Sequence, residues 1–129
     1  MRKLEQLQRF SSDGRSVSPE RLVILLYERL GRDLSEAGSA IDDAATERRH
    51  KALLHAQEIV EELSYAVRPE LWDGGDNMIA LYEFVLDLLV QANVSADRTA
   101  VDQAAAIIDD LAGAWREAYV SLAAARAPS

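Results

Sequence analysis

The chain has 129 residues, 49% hydrophobic and 28% charged, which suits one folded domain with a sizeable core and argues against global disorder. Fourteen Lys and Arg against 22 Asp and Glu leave a formal net charge of −8, which disfavours nucleic acid and anionic lipid, since both need a positive surface. There is no cysteine, so disulfides, thiolate zinc sites and a cysteine nucleophile are excluded, in keeping with a reducing cytoplasm.

Taken in chain order, Leu4, Leu7 and Phe10 repeat every third residue before Ser11-Ser12-Asp13-Gly14-Arg15-Ser16 breaks any helix. Residues 1–17 therefore read as a flexible N-terminal segment, either a frayed tail or a short amphipathic plug that docks on the folded part. No continuous apolar stretch follows the basic start, so no secretory signal is expected. The longest unbroken apolar run, Leu22 to Tyr27, falls well short of the ~20 residues of a spanning helix, so stable membrane insertion is not expected.

From Ser18 onward apolar residues recur at spacings of 3 and 4, and no period-2 strand competes with them. The first helix opens with Ser18 as cap and Pro19 in the first turn. Its stripe is Val23, Leu26, Leu30, Leu34, Ala37, Ile41 and Ala44, with Tyr27 at the edge. A second helix from about Glu47 to Val67 turns Ala52, Ala56, Ile59, Val60, Leu63 and Val67 inward and stops before Pro69. A loop with Pro69, Gly74 and Gly75 follows, Leu71 and Trp72 folding over one end of the bundle.

The third helix, from about Asn77 to Ala92, carries Met78, Leu81, Tyr82, Val85, Leu88, Leu89 and Ala92, with Asn93 as a left-handed terminator. Ser95 or Asp97 caps the fourth, whose stripe is Val101, Ala104, Ile108, Leu111, Trp115, Ala118 and Leu122. Short connections make sequential helices antiparallel, so the expected fold is all-α, an up-down-up-down four-helix bundle over residues 18–125 with a tail at 126–129.

Chemistry is sparse. Glu47-x-x-His50 has the spacing of a di-iron ligand pair but occurs once, beside Arg49 and Lys51, and His55 lies off its face, so no metal and no cofactor are expected. Glu61-Glu62, Asp42-Asp43 and Asp109-Asp110 read as solvated helix faces, and no phosphate loop or nucleophile motif occurs, so an enzyme is not expected.

The informative feature is surplus apolarity. Ile79, Leu86 and Val90 sit about a quarter-turn from the third helix's core stripe. Leu54 and Tyr65 lie opposite Ile59 and Leu63, while Leu22 and Leu25 fall outside the first stripe. A wide arc can contact two neighbours in a bundle, but several such residues together point to a groove for a partner segment. The candidate partner-binding set is Leu22, Leu25, Ile79, Leu86 and Val90, with Tyr65 and Tyr82 as anchors.

The run Val17-Ser18-Pro19-Glu20-Arg21-Leu22-Val23-Ile24-Leu25-Leu26-Tyr27-Glu28 resembles the opening of the flagellar export chaperone family, FliS. Ala56 to Leu63, Gly74-Gly75, Leu81-Tyr82-Glu83-Phe84, Ala92-Asn93 and Ala114 to Ala118 follow in the family's order. The resemblance implies a cytoplasmic chaperone that holds the C-terminal segment of flagellin, prevents premature polymerisation and aids delivery to the type III export apparatus. It also implies export-gate and regulatory proteins as further partners, and a monomer or weak homodimer when unliganded.

The resemblance further gives Leu4, Leu7 and Phe10 the role of a removable cap, although the family's leader Tyr is missing here. The competing expectation is a self-associating helical-bundle adaptor with no flagellin role.

Overall fold

The structure is a computed structural model that describes residues 19–66 and 75–126. These form four helices: α1 Pro19–Asp42, α2 Thr46–Ala66, α3 Gly75–Ser95 and α4 Arg98–Arg126. No strand occurs among the described residues. Pro19 opens α1, where its missing N–H costs no helical hydrogen bond. The expected cap Ser18, the leader residues Leu4, Leu7 and Phe10, and Val67, Pro69, Leu71 and Trp72 lie outside the described residues.

Each helix packs on its neighbours in sequence and α1 closes on α4, while the backbones of α1 and α3, and of α2 and α4, do not approach. His55 of α2 pairs with Asp33 of α1, Asn93 near the end of α3 meets His50 near the start of α2, and Arg98 at the start of α4 meets Asp42 at the end of α1. Together with the short Ala96–Asp97 turn between α3 and α4, these pairings make every neighbouring pair antiparallel, as short connections require. The core is a continuous cluster from Leu26, Leu30 and Leu34 through Leu53, Ile59 and Leu63 to Val85, Leu89, Val101 and Ile108.

Two turns depart from what the sequence predicts. At the end of α1, Ala45 N–H donates to the Ala40 carbonyl (2.8 Å) and Ala44 N–H to Ile41 (3.1 Å). This is the Schellman arrangement, with Ala44 in the left-handed region at φ 53°. Ala44 is exposed and stands outside the core stripe in which it was expected.

Asn93 does not end α3 either. The helix continues to Ser95, Ala96 takes φ 49°, and Asp97 N–H reaches back to Ala92 (3.2 Å). Asn93 stays helical because its side-chain amide donates to His50 Nδ1 across the α2–α3 contact (3.1 Å). Of the two candidate caps for α4, Asp97 is the one used: its Oδ1 accepts from Ala100 N–H, and Gln91 donates to its Oδ2. These bonds, the Gln91 one first, hold the Asp97 carboxyl below its usual pKa.

Gly38 lets α4 lock onto α1. A Cβ there would fall 2.8 Å from the Arg98 guanidinium carbon, which instead lies against the helix, donating to the Gly38 carbonyl (2.7 Å) and to Asp42. Ala118, expected in the α4 stripe, is exposed, and Ala112 is buried in its register.

Candidate partner-binding surface

The rotational setting of each helix follows from the contacts that cross between them. On α2, Arg48 and His55 face α1, whereas His50 faces α3. At about 100° per residue, Gln57 and Ser64 share the α3 side with His50. On α3 the side of Asn93 faces α2, which places Ile79, Leu86 and Val90 along the α2–α3 seam and Leu81, Phe84 and Leu88 along the α3–α4 seam. On α4, Arg98 and Asp102 face α1, so Ile107 and Leu111 fall toward α3.

The structure brings most of the predicted partner set together on the first of these seams. Val90 is 48% exposed on α3, and on α2 both Leu54 and Tyr65 are exposed, Tyr65 by 75% and nearer the other end of the seam. Ile79 and Leu86 are half-buried and pack on the core with one side of each chain. Leu25 is half-buried on α1, away from this seam.

Two members of the set are corrected. Leu22 and Tyr82 were expected on the partner surface and are buried. The Tyr82 hydroxyl meets that of Tyr27 at 2.5 Å across the diagonal between α3 and α1, where the two backbones stay apart. Tyr27, expected at the edge of its stripe, is therefore a core residue. Burial raises the pKa of both phenols, Tyr27 further because Tyr82 faces it, and the Trp115 side chain partly offsets the rise.

A second apolar seam escaped the sequence reading. Phe84, 51% exposed, and Leu81 line the outer edge of α3 toward α4, where Ile107 and Leu111 are half-buried. Leu81 was assigned to the core stripe and Phe84 to no face. The missed signal was the low amphipathicity of α3, which carries apolar residues almost all round. Asp76–Ser95 even has the length and mean hydropathy, 1.4, of a membrane-crossing helix, although Glu83 and Asp87 interrupt it. Its contacts with α2 and α4 and the buried tyrosine pair set it into the bundle instead.

Among the described residues no three His, Asp or Glu side chains converge as a metal set. The surface on either side of α3 offers an apolar lining of the kind that binds a chain segment.

Residues 4–122 match the protein-family model described as "Flagellar protein FliS". The chain belongs to the FliS family. It is 31% identical over 108 residues to the flagellar secretion chaperone FliS of Escherichia coli, with 82% of this chain and 79% of that protein covered. The Bacillus subtilis protein of the same name is 27% identical over 106 residues, covering 82% and 79%. A solved structure titled "Crystal structure of flagellar chaperone from bacteria" superposes with a TM-score of 0.74 at 19% identity, covering 92% of this chain and 98% of that one. The fold is thus that of an all-α four-helix bundle, and the FliS family is one of chaperones, not of enzymes.

Proposed function

We propose that this chain is a cytoplasmic export chaperone that covers the C-terminal segment of flagellin, keeps it from polymerising and hands it to the flagellar type III export apparatus. The observation that carries this reading is the pair of exposed apolar seams flanking α3, Leu54, Tyr65 and Val90 on one side and Leu81 and Phe84 on the other. An amphipathic helix laid along such a seam buries anchors spaced three and four residues apart, and a segment long enough to round α3 fills both. Many modest contacts suit a load that must be held and later released, because no single contact dominates dissociation.

Leu25, Tyr65, Ile79, Leu86 and Val90 from the sequence-derived set, joined by Leu81 and Phe84, are the proposed contacts. Residues 1–17 are proposed as a detachable cap, in which Leu4, Leu7 and Phe10 occupy an apolar surface until the partner displaces them, while residues 18–125 form the folded unit. Export-gate and regulatory proteins are the proposed further partners.

The test is co-expression with flagellin, followed by size exclusion and calorimetry with full-length flagellin and with flagellin lacking its C-terminal segment. A 1:1 complex lost on truncation is the expected outcome. Absence of a complex with either form, together with a dimeric mass that survives dilution, replaces this reading with self-association.

A further inference from the structure

The seam between α1 and α2 has the opposite character from those beside α3. It is an open groove of about 660 Å³ whose lining includes Arg29, Arg32, Arg48, Lys51 and His55, with the small Ala52 in its floor. It also contains Asp33 and Glu36, two acids against four Lys and Arg side chains.

Both acids are accounted for by pairing. Asp33 is taken by the His55 ring, and Glu36 by Arg48, which also holds Asp43 and bonds the Ser39 hydroxyl. Both acids in the groove are therefore already engaged. Arg29, Arg32 and Lys51 are exposed and have no carboxylate partner among the described residues. In a chain with a net charge of −8, this groove is locally positive.

The spacing says what kind of anion fits. The Asp33–His55 and Glu36–Arg48 pairings set Lys51 level with about residue 35 of α1, so Arg29 and Lys51 are separated by roughly 9 Å along the helix axis. Three exposed cations spread over that length complement the charge of a peptide with acids repeated along it. The Ala52 floor leaves room for a backbone between the two rows of cations.

We propose that the α1–α2 groove docks an acidic peptide segment of a partner protein, at a site separate from the apolar seams beside α3. The site reads carboxylates through Arg29, Arg32 and Lys51, while Arg48 and His55 hold the groove's own acids out of the way. The proposal is independent of what occupies the α3 seams, since it requires no contact with them.

The experiment uses the full-length ¹⁵N-labelled protein and a fluorescein-labelled dodecapeptide of repeating Glu-Ala-Asp-Ala, read by anisotropy and amide shifts. Shifts confined to residues 29–36 and 48–55 are expected. Affinity should fall at least about tenfold in R29Q/R32Q/K51Q, fall again between about 50 and 300 mM NaCl, and stay unchanged in R116E on α4. These variants are surface changes, and circular dichroism checks that they stay folded. Shifts mapping to α3, equal binding by the triple variant, or full competition by millimolar inorganic phosphate at the same residues each overturn the proposal. The last outcome makes the groove a simple anion site. A failure here leaves flagellin binding untouched, and a failure of flagellin binding leaves this titration unaffected.

Discussion

The seams beside α3 and the seam between α1 and α2 come from the same geometry, antiparallel helices in contact along their length, yet they present opposite chemistry. Beside α3 the positions flanking the core are Val90, Leu86, Leu81 and Phe84; between α1 and α2 they are Arg29, Arg32, Arg48 and Lys51. Water and ion pairs satisfy the second set, so that edge is closed to apolar partners, whereas the first leaves apolar surface in water. A bundle needs only an inward stripe on each helix to fold. Side chains on the flanks are outside that requirement, and this chain carries two chemically different kinds of flank.

The comparison breaks most sharply at the boundary between core and seam. Leu53→Ala, in the core beside the α2–α3 seam, should cost about 2–5 kcal/mol by chemical denaturation. The double variant F84S/V90S should cost clearly less than Leu53→Ala, about 1–2 kcal/mol, while weakening binding of a flagellin C-terminal peptide at least about tenfold in calorimetry. If F84S/V90S unfolds the protein as Leu53→Ala does, the seams are core and the contrast disappears.

The tyrosine pair sharpens which side of α3 is interior. Tyr27→Phe should cost about 1–3 kcal/mol, because it removes one of the partners of a buried Tyr82 hydroxyl. Y27F/Y82F should cost less than the sum of the single changes, measured as a double-mutant cycle. Strict additivity would place the hydroxyls in water.

Changes at the turns touch neither kind of seam and serve as the control. Ala44→Gly and Ala96→Gly should each stabilise by about 0.5–1 kcal/mol, since a glycine takes the left-handed conformation without the steric cost of a Cβ. Partner binding should not change.

The smallest effect is at Asp97. Its carboxyl is held below the ordinary 3.8, so its stabilisation is fully present above that pH and is lost as pH falls through the lower folded-state value. Asp97→Ala should therefore lower Tm at pH 7, and the gap to wild type should close as pH drops below 3.8.

Much of the site was legible as surplus. Ile79, Leu86 and Val90 share a flank by helical period alone, and Leu54 and Tyr65 stand opposite their own core stripe for the same reason. Leu22 and Tyr82 went the other way. Tyr82 is long enough to reach Tyr27 through the centre of the bundle, a contact between residues 55 apart that no local periodicity encodes. Phe84 and Leu81 were passed over because a helix that is apolar on nearly every side offers no contrast from which to choose its inner face.

The sequence by itself determined the four described helices, the proline start of α1 and the angular position of each side chain on its own helix. These depend on neighbours within four or five residues, where φ/ψ preference, caps and the 3.6-residue period act. Only the tertiary structure decided which flank of each helix is covered, that two tyrosines are interior, and that the acids of the α1–α2 groove are already paired. Those outcomes depend on how far each helix is rolled against its neighbours, and that roll is set by the packing of all four together.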